Sequence, residues 1–272
     1  MPDPVILYRP GRGDMDVGEL EAASRYFRCI SSRLHVQPGD LVIGRYSVSP
    51  FYKFLEPDIL ELGATLINTF RQHCYIADLW NWVGDLEGLT PRTWNRIEDV
   101  PDDAYPVVLK GSENSRKFQW DTSMFARDRA AALDVYYRLQ EDGLLQHQNI
   151  MVRQYVPLRK FMQGFRGLPI GNEWRVFACD GEILSWGYYW SNYWDDLTVK
   201  PVIADAALEL VREVLRRVGR NARFLAIDVA EMASGGWTLI ELNDGQMAGT
   251  SMNDLDTLYG RLSQVVRGVS TV

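Results

Sequence analysis

The stretch TLIELNDGQ, residues 238–246, begins as a buried strand and then places Glu241, Asn243 and Asp244 where the apolar run should continue. Leu239, Ile240 and Leu242 supply the apolar character. A strand alternates its faces with period two, so Glu241 and Asn243 point to the same side. Two oxygen ligands on one face suit a hard metal ion. They suit the solvated face of an edge strand equally well, so the rest of the chain has to decide.

The strand just upstream bears on the choice. In RFLAIDVAEMASGGWTLIELND (223–244), Ser234-Gly235-Gly236 reads as a turn, and Asp228 lies on the first arm between Ile227 and Val229. Folding the hairpin there brings Asp228, Glu241 and Asn243 to one region of a sheet. Two carboxylates and an amide oxygen form a hard, incomplete donor set. Such a set suits Mg²⁺, which keeps waters and completes its shell from substrate phosphates, with Mn²⁺ as the alternative ion. Three polar residues on a solvated face are the competing reading, which the apolar flanks of both arms disfavour.

A metal that carries a nucleotide calls for cations near its phosphates. PVVLKGSENSRK (106–117) offers Lys110 at the end of an apolar strand, a small polar loop, and then Lys117. Gly111, Ser112 and Ser115 would let backbone N–H groups approach anionic oxygens. The chain contains no GxxxxGK[ST], so this is not a P-loop, and no GxGxxG follows a strand. By itself, a lysine at a strand end is more often a surface residue.

The first hundred residues alternate strand and helix. PVILY (4–8), GDLVIGRY (39–46) and ATLIN (64–68) read as strands. Val17 to Ile30, PFYKFLEPDILELG (50–63) and FRQHCYIADLWNWVG (70–84) read as helical. Short strands separated by helices favour a partly parallel sheet, hence an α/β unit over residues 1–100. Acid and proline in IEDVPDDAYP (97–106) mark a boundary. Over 101–272 the pattern becomes α+β: PVVLKGSENSRKFQW as strand, polar loop, strand; a helix from Arg127 to Gln140; a strand in NIMVRQYVPL (149–158). EWRVFACDGEILSWGYYW (173–190) is a hairpin around Asp180-Gly181, and helices are expected over Ala204–Val218 and Leu255–Val266.

Composition bounds the function classes. The 272 residues are 46% hydrophobic and 24% charged, enough apolar material for a core. A net charge of −7 argues against non-specific grip on nucleic acid. Cys29, Cys74 and Cys179 are scattered, as are His35, His73 and His147, which disfavours a thiolate or imidazole zinc site. The opening MPDPVILYRPGRGD is too interrupted for a signal peptide, and no apolar run approaches the ~18 residues of a membrane span. These features point to a reduced, cytoplasmic protein.

Taken together, roughly residues 104–250 resemble the ATP-grasp superfamily. The resemblance implies that Lys110 and Lys117 hold phosphates on either side of a mobile covering loop. It implies that MVRQYVPL (151–158) is the adenine hinge through Gln154, Tyr155 and Val156, and that Arg175 faces the reacting phosphate. Asp228, Glu241 and Asn243 are similar to the family's metal set, and residues 1–100 to its preceding α/β subdomain. Three features differ from the usual pattern. NDGQMAGTS (243–251) replaces a proline-containing tail, the covering loop lacks a run of glycines, and PLRKFMQGFRG (157–167) is basic where an acid often holds ribose.

By resemblance the activity is ATP-dependent ligation of a carboxylate to an amine through an acyl phosphate, releasing ADP and phosphate. ATP and Mg²⁺ are the implied cofactors, and a small-molecule or peptide carboxylate and an amine the implied substrates. Arg153, Arg159, Lys160 and Arg166 would surround the hinge as solvated charges or as a receptor for an acidic substrate. WGYYWSNYWDD (186–196) would line an acceptor pocket or simply pack. Phosphotransfer to a hydroxyl and a non-catalytic nucleotide sensor are the alternatives, and a homo-oligomer is left open.

Overall fold

A computed structural model describes residues 3–10, 15–47 and 51–269 of the chain. Residues 1, 2 and 11–14 of the opening segment, and Pro50 of the second expected helix, lie outside the described residues. The N-terminal part contains β1 (Pro4–Tyr8), α1 (Val17–Ser24), β2 (Arg28–Ile30), β3 (Leu41–Arg45), α2 (Tyr52–Glu61), β4 (Thr65–Leu66), α3 (Phe70–Ala77) and α4 (Leu79–Trp82). Its four strands are parallel in the order β2-β1-β3-β4. Asp16 caps α1 by accepting from the Glu19 N–H at 2.7 Å.

The helix expected over Val17–Ile30 is shorter than its periodicity suggests. It ends at Ser24, and Arg28–Ile30 pairs with Val5–Leu7 as a strand. A three-residue edge strand has no room to display its own period, so the apolar spacing of the helix runs on into it.

The second part contributes β5 (Thr93–Trp94), β6 (Val107–Gly111), α5 (Trp120–Ser123), β7 (Phe125–Ala126), α6 (Arg129–Gln140) and β8 (Ile150–Gln154). These strands form an antiparallel sheet in the order β5-β8-β6-β7, so the chain has entered this sheet before residue 100. The strand expected directly after the polar loop is instead a 3-10 turn (Lys117–Gln119) followed by α5. Trp120 explains the difference, because its ring packs 6.2 Å from both Phe125 and Tyr155, contacts that no local pattern reveals.

The third part holds the hairpin β9 (Lys160–Gln163) and β10 (Pro169–Gly171), then β11 (Glu173–Cys179), β12 (Glu182–Tyr188), α7 (Asp205–Val218), β13 (Phe224–Glu231), β14 (Trp237–Asp244) and α8 (Leu255–Val266). The last four strands are antiparallel in the order β12-β11-β13-β14. Both expected hairpin turns form, with positive φ at Asp180 and Gly181 and at Gly235 and Gly236.

This sheet is buried on both faces. Val176, Ile227 and Leu239 pack with Val211 and Val214 of α7. On the opposite face Phe177, Phe224 and Ala226 pack with Leu258 and Leu262 of α8 and with Ile6 and Ile43 of the parallel sheet. Glu173 and Arg175 share the side of β11 that carries Phe177, as Asp228 shares the side of β13 that carries Ala226. One face of one sheet is therefore apolar at one end and charged at the other. Among the described residues no helix is long and apolar enough to cross a membrane.

Candidate active site

The charged end of that face is built by register. Arg175 pairs with Asp228 across β11 and β13, and Asp228 pairs with Glu241 across β13 and β14. Paired residues share a side of the sheet, so three strands deliver one row of side chains. A bulge between Asp228 and Val229 leaves Ile240 without a pairing partner. It turns both Ile240 and Glu241 into the adjoining cleft. On the other flank Gly187 faces Arg175, and a Cβ there would collide with the backbone nitrogen of Asn253. The chain after β14 thus crosses close over the sheet, and the Gly249 carbonyl accepts from Arg175 at 2.9 Å.

The row is strongly coupled. Arg175 grips Asp228 with two parallel bonds, Nε to Oδ1 at 2.8 Å and Nη2 to Oδ2 at 2.7 Å. Burial works against the guanidinium's charge, but Asp228 outweighs it and holds the proton above its ordinary range. Asn243 donates to Asp228 Oδ2 at 3.2 Å. Lys110, at the end of β6, bonds to Glu241 Oε1. Burial pushes the Glu241 carboxyl up, yet Lys110, Lys117 and Arg175 prevail and bring it down to about 2.

Lys117 stands across the cleft. Its ammonium contacts the Tyr189 hydroxyl and lies 4.5 Å from that ring's centroid, while Arg175 lies 4.9 Å from the same centroid. Tyr189 therefore contacts two cations. The cleft has a cavity volume of about 160 Å³ and is lined by Lys110, Ser115, Lys117, Gln154, Tyr155, Val156 and Glu241 among others. Gly111 and Ser112 do not line it, and the Ser112 N–H is given to the Asn149 carbonyl at 2.8 Å. The N–H groups of Gln154 and Tyr155 are committed to the Arg92 and Pro106 carbonyls, whereas the Val156 N–H has no such partner among the described residues. Arg175 lines a neighbouring pocket of about 160 Å³ that shares Lys117, Tyr189 and Trp190 with the main cleft.

The profile of one ATP-grasp domain group, described as clade family 3, matches residues 98–262, more than half of the chain. The chain belongs to the ATP-grasp family. Solved structures agree on the fold of this ATP-grasp chain. A RimK-domain ATP-grasp protein from Sphaerobacter thermophilus superposes with a TM-score of 0.59 at 17% identity, covering 98% of this chain and 97% of that one. The D-cycloserine synthetase DcsG gives a TM-score of 0.62 at 13% identity, covering 98% and 100%. The ATP-grasp ligase PsnB, solved with a precursor peptide and AMPPNP, gives 0.61 at 14% identity, covering 96% and 97%. No curated protein sequence matches the chain.

Two further charged residues, Glu173 and Arg153, line the ATP-grasp cleft. Glu173 lines it, is buried, and its side chain makes no hydrogen bond among the described residues. Burial, then the charge of Asp228, pushes its carboxyl up to about 8. Its signal is present in EWR, since it lies two residues before Arg175 and hence on the same side of the strand. Arg153 is turned into the cleft rather than outward, whereas Arg159 pairs with Glu231 at 3.0 Å on the surface. Asp244, the third oxygen of the opening stretch, faces the other way. It accepts from Asn68 at 2.9 Å and meets His73 Nδ1 at 3.1 Å, which ties β14 to the N-terminal part.

Proposed function

We propose that this ATP-grasp chain is an ADP-forming ligase that joins a carboxylate to an amine through an acyl phosphate. The observation that carries the proposal is the row of Arg175, Asp228 and Glu241, faced by Lys110 and Lys117 at the mouth of an apolar cleft. The structural relatives named above include ATP-dependent ligases, which favours ligation over other uses of the same cations.

ATP would place its base at the hinge, with Val156 donating and Val108 and Ile240 packing on either side. Glu173 is the acid that would hold ribose, in place of one following the hinge. Lys110, Lys117 and Arg175 would neutralise the phosphates and the charge that develops on transfer. No group of three or more His, Cys, Asp or Glu is placed to hold a metal among the described residues. The expected set differs by using an amide. Its donors fit Mg²⁺: they are all oxygen, they share one face, and Glu241 Oε2 and Asn243 Oδ1 carry no partner among the described residues. Mg²⁺ would supply charge neutralisation between the phosphate oxygens.

The pocket beside Arg175, with Ser191, Asn192 and Ser251 in its wall, would take the acceptor. Catalysis would then consist of positioning and electrostatic stabilisation, with no protein nucleophile. ATP turnover against pools of amino acids and small carboxylates, with ADP, AMP and phosphate measured separately, tests the proposal. ADP with phosphate, and trapping by hydroxylamine, is the expected result. ADP with a stable phosphorylated product would make the chain a kinase, and no turnover by a folded protein with any pool would favour a sensor.

A further inference from the structure

The buried arginines of this chain are not equally served. Arg45 has Glu19, and Arg175 has Asp228. Arg153, only 7% exposed, has no carboxylate within ion-pairing distance among the described residues. Its Nη1 donates to the Ile240 carbonyl at 2.7 Å and its Nη2 to Thr90 Oγ1 at 2.6 Å, while Nε finds no partner. Neutral acceptors orient a guanidinium but do not balance its charge.

The placement is specific. Arg153 pairs with Val108 across β8 and β6, two residues from Lys110 on the same side of the sheet. It adjoins the hinge at Gln154 and lines the cleft. Burial lowers its proton affinity to about 10 against the opposing pull of Glu241, so the group is charged at neutral pH. Glu241 itself is bonded to Lys110. A full charge is thus kept in a poorly solvated wall without a counter-ion, an arrangement that costs stability unless something else supplies the anion.

We propose that Arg153 is a further nucleotide-binding residue whose charge is balanced by the phosphates of an anionic nucleotide in the cleft. The inference rests on the reading that this cleft takes ATP. The low dielectric that makes the unpaired charge costly in the free protein also strengthens its attraction to the incoming anion. Lys110 and Lys117 act at the phosphates directly, whereas Arg153 acts from the base end through the field of the wall.

The test is calorimetric titration of the full chain with MgATP and, separately, with adenosine, which presents the same base and ribose without charge. Arg153→Met should weaken MgATP binding by about tenfold or more. Adenosine binding should stay within about threefold, and the melting temperature of the free protein should hold or rise. Arg153→Lys, which keeps the charge, should retain MgATP affinity within about threefold of wild type and serves alone if Arg153→Met does not fold. Unchanged MgATP affinity in Arg153→Met overturns the proposal. So does a parallel loss for MgATP and adenosine, which would make Arg153 a contact of shape, and so does a loss of tenfold or more in Arg153→Lys. A wild-type chain that binds no MgATP would instead remove the reading of the cleft itself.

Discussion

Two polar regions of this molecule are equally buried and differently finished. At the seam between the parallel sheet and the rest, Arg45 donates to Glu19 at 2.9 and 2.6 Å, to the Gly245 carbonyl at 2.6 Å and to the Ala248 carbonyl at 3.0 Å. Asp244 is held by Asn68, His73 and the Gln246 N–H, and Gln246 reaches back to the Gly44 N–H at 3.0 Å. Every charge there is answered from within the chain. In the cleft, Glu173 has no bond, Arg153 has no counter-ion, and Glu241 keeps a free oxygen among the described residues. Closed networks hold a fold together, and open ones keep capacity for something that arrives.

The contrast breaks most sharply at Arg45. Arg45→Met strands the Glu19 carboxylate in the interior, and a cost of about 3–5 kcal/mol is expected in denaturant unfolding. A near-neutral change would mean that the seam is not a closed network. Glu241→Gln is the matching change in the cleft. The fold, followed by circular dichroism, should survive while ATP turnover at limiting magnesium falls about a hundredfold or more. Near-normal turnover would take Glu241 off the ligand set.

Arg175 sharpens the comparison because it belongs partly to both kinds, paired with Asp228 yet lining the proposed acceptor pocket. Arg175→Lys keeps charge and loses the fork, so kcat should drop by about tenfold with ATP affinity little changed. Weaker ATP binding at unchanged kcat would make it a ground-state contact. The smallest effect is at Glu173. Its carboxyl rises from 4.5 to about 8 on folding, so between those values the folded chain holds a proton that the unfolded chain has released. Stability from this group therefore declines as pH rises through that window. Glu173→Gln should melt like wild type near pH 5 and several degrees higher by pH 9, and equal melting at both would show the group to be well solvated.

Much of the fold is legible in local patterns. PVILY, the two hairpins and the C-terminal helix stand where period and turn residues put them, because each has a long run or a glycine turn to announce it. Arg28–Ile30 and the segment at Trp120 defeat such patterns because their structure depends on a neighbour, a strand in one case and two aromatic rings in the other. In the candidate site, Asp228, Glu241, Asn243, Lys110 and Lys117 are legible as types at meaningful spacings. Glu173 does not stand out, and Arg153 stands out only as one of several charges near the hinge, since a charged residue in a strand is usually solvated.

By itself the sequence determined the strand-end oxygens, the two lysines and most of the order of elements, for these follow from period, turn chemistry and spacing along one chain. Only the tertiary structure decided which charges meet. Arg175 pairs with Asp228 although the two are 53 positions apart, and Lys110 with Glu241 across 131. It also decided that Asp244, next to Asn243 in the chain, belongs to the seam and not to the cleft. The physical reason is that a side chain's charge is a local property, while its partner and its access to water are set by register, bulge and burial. Those arise only when distant strands pair and a face is shared between a core and a cleft.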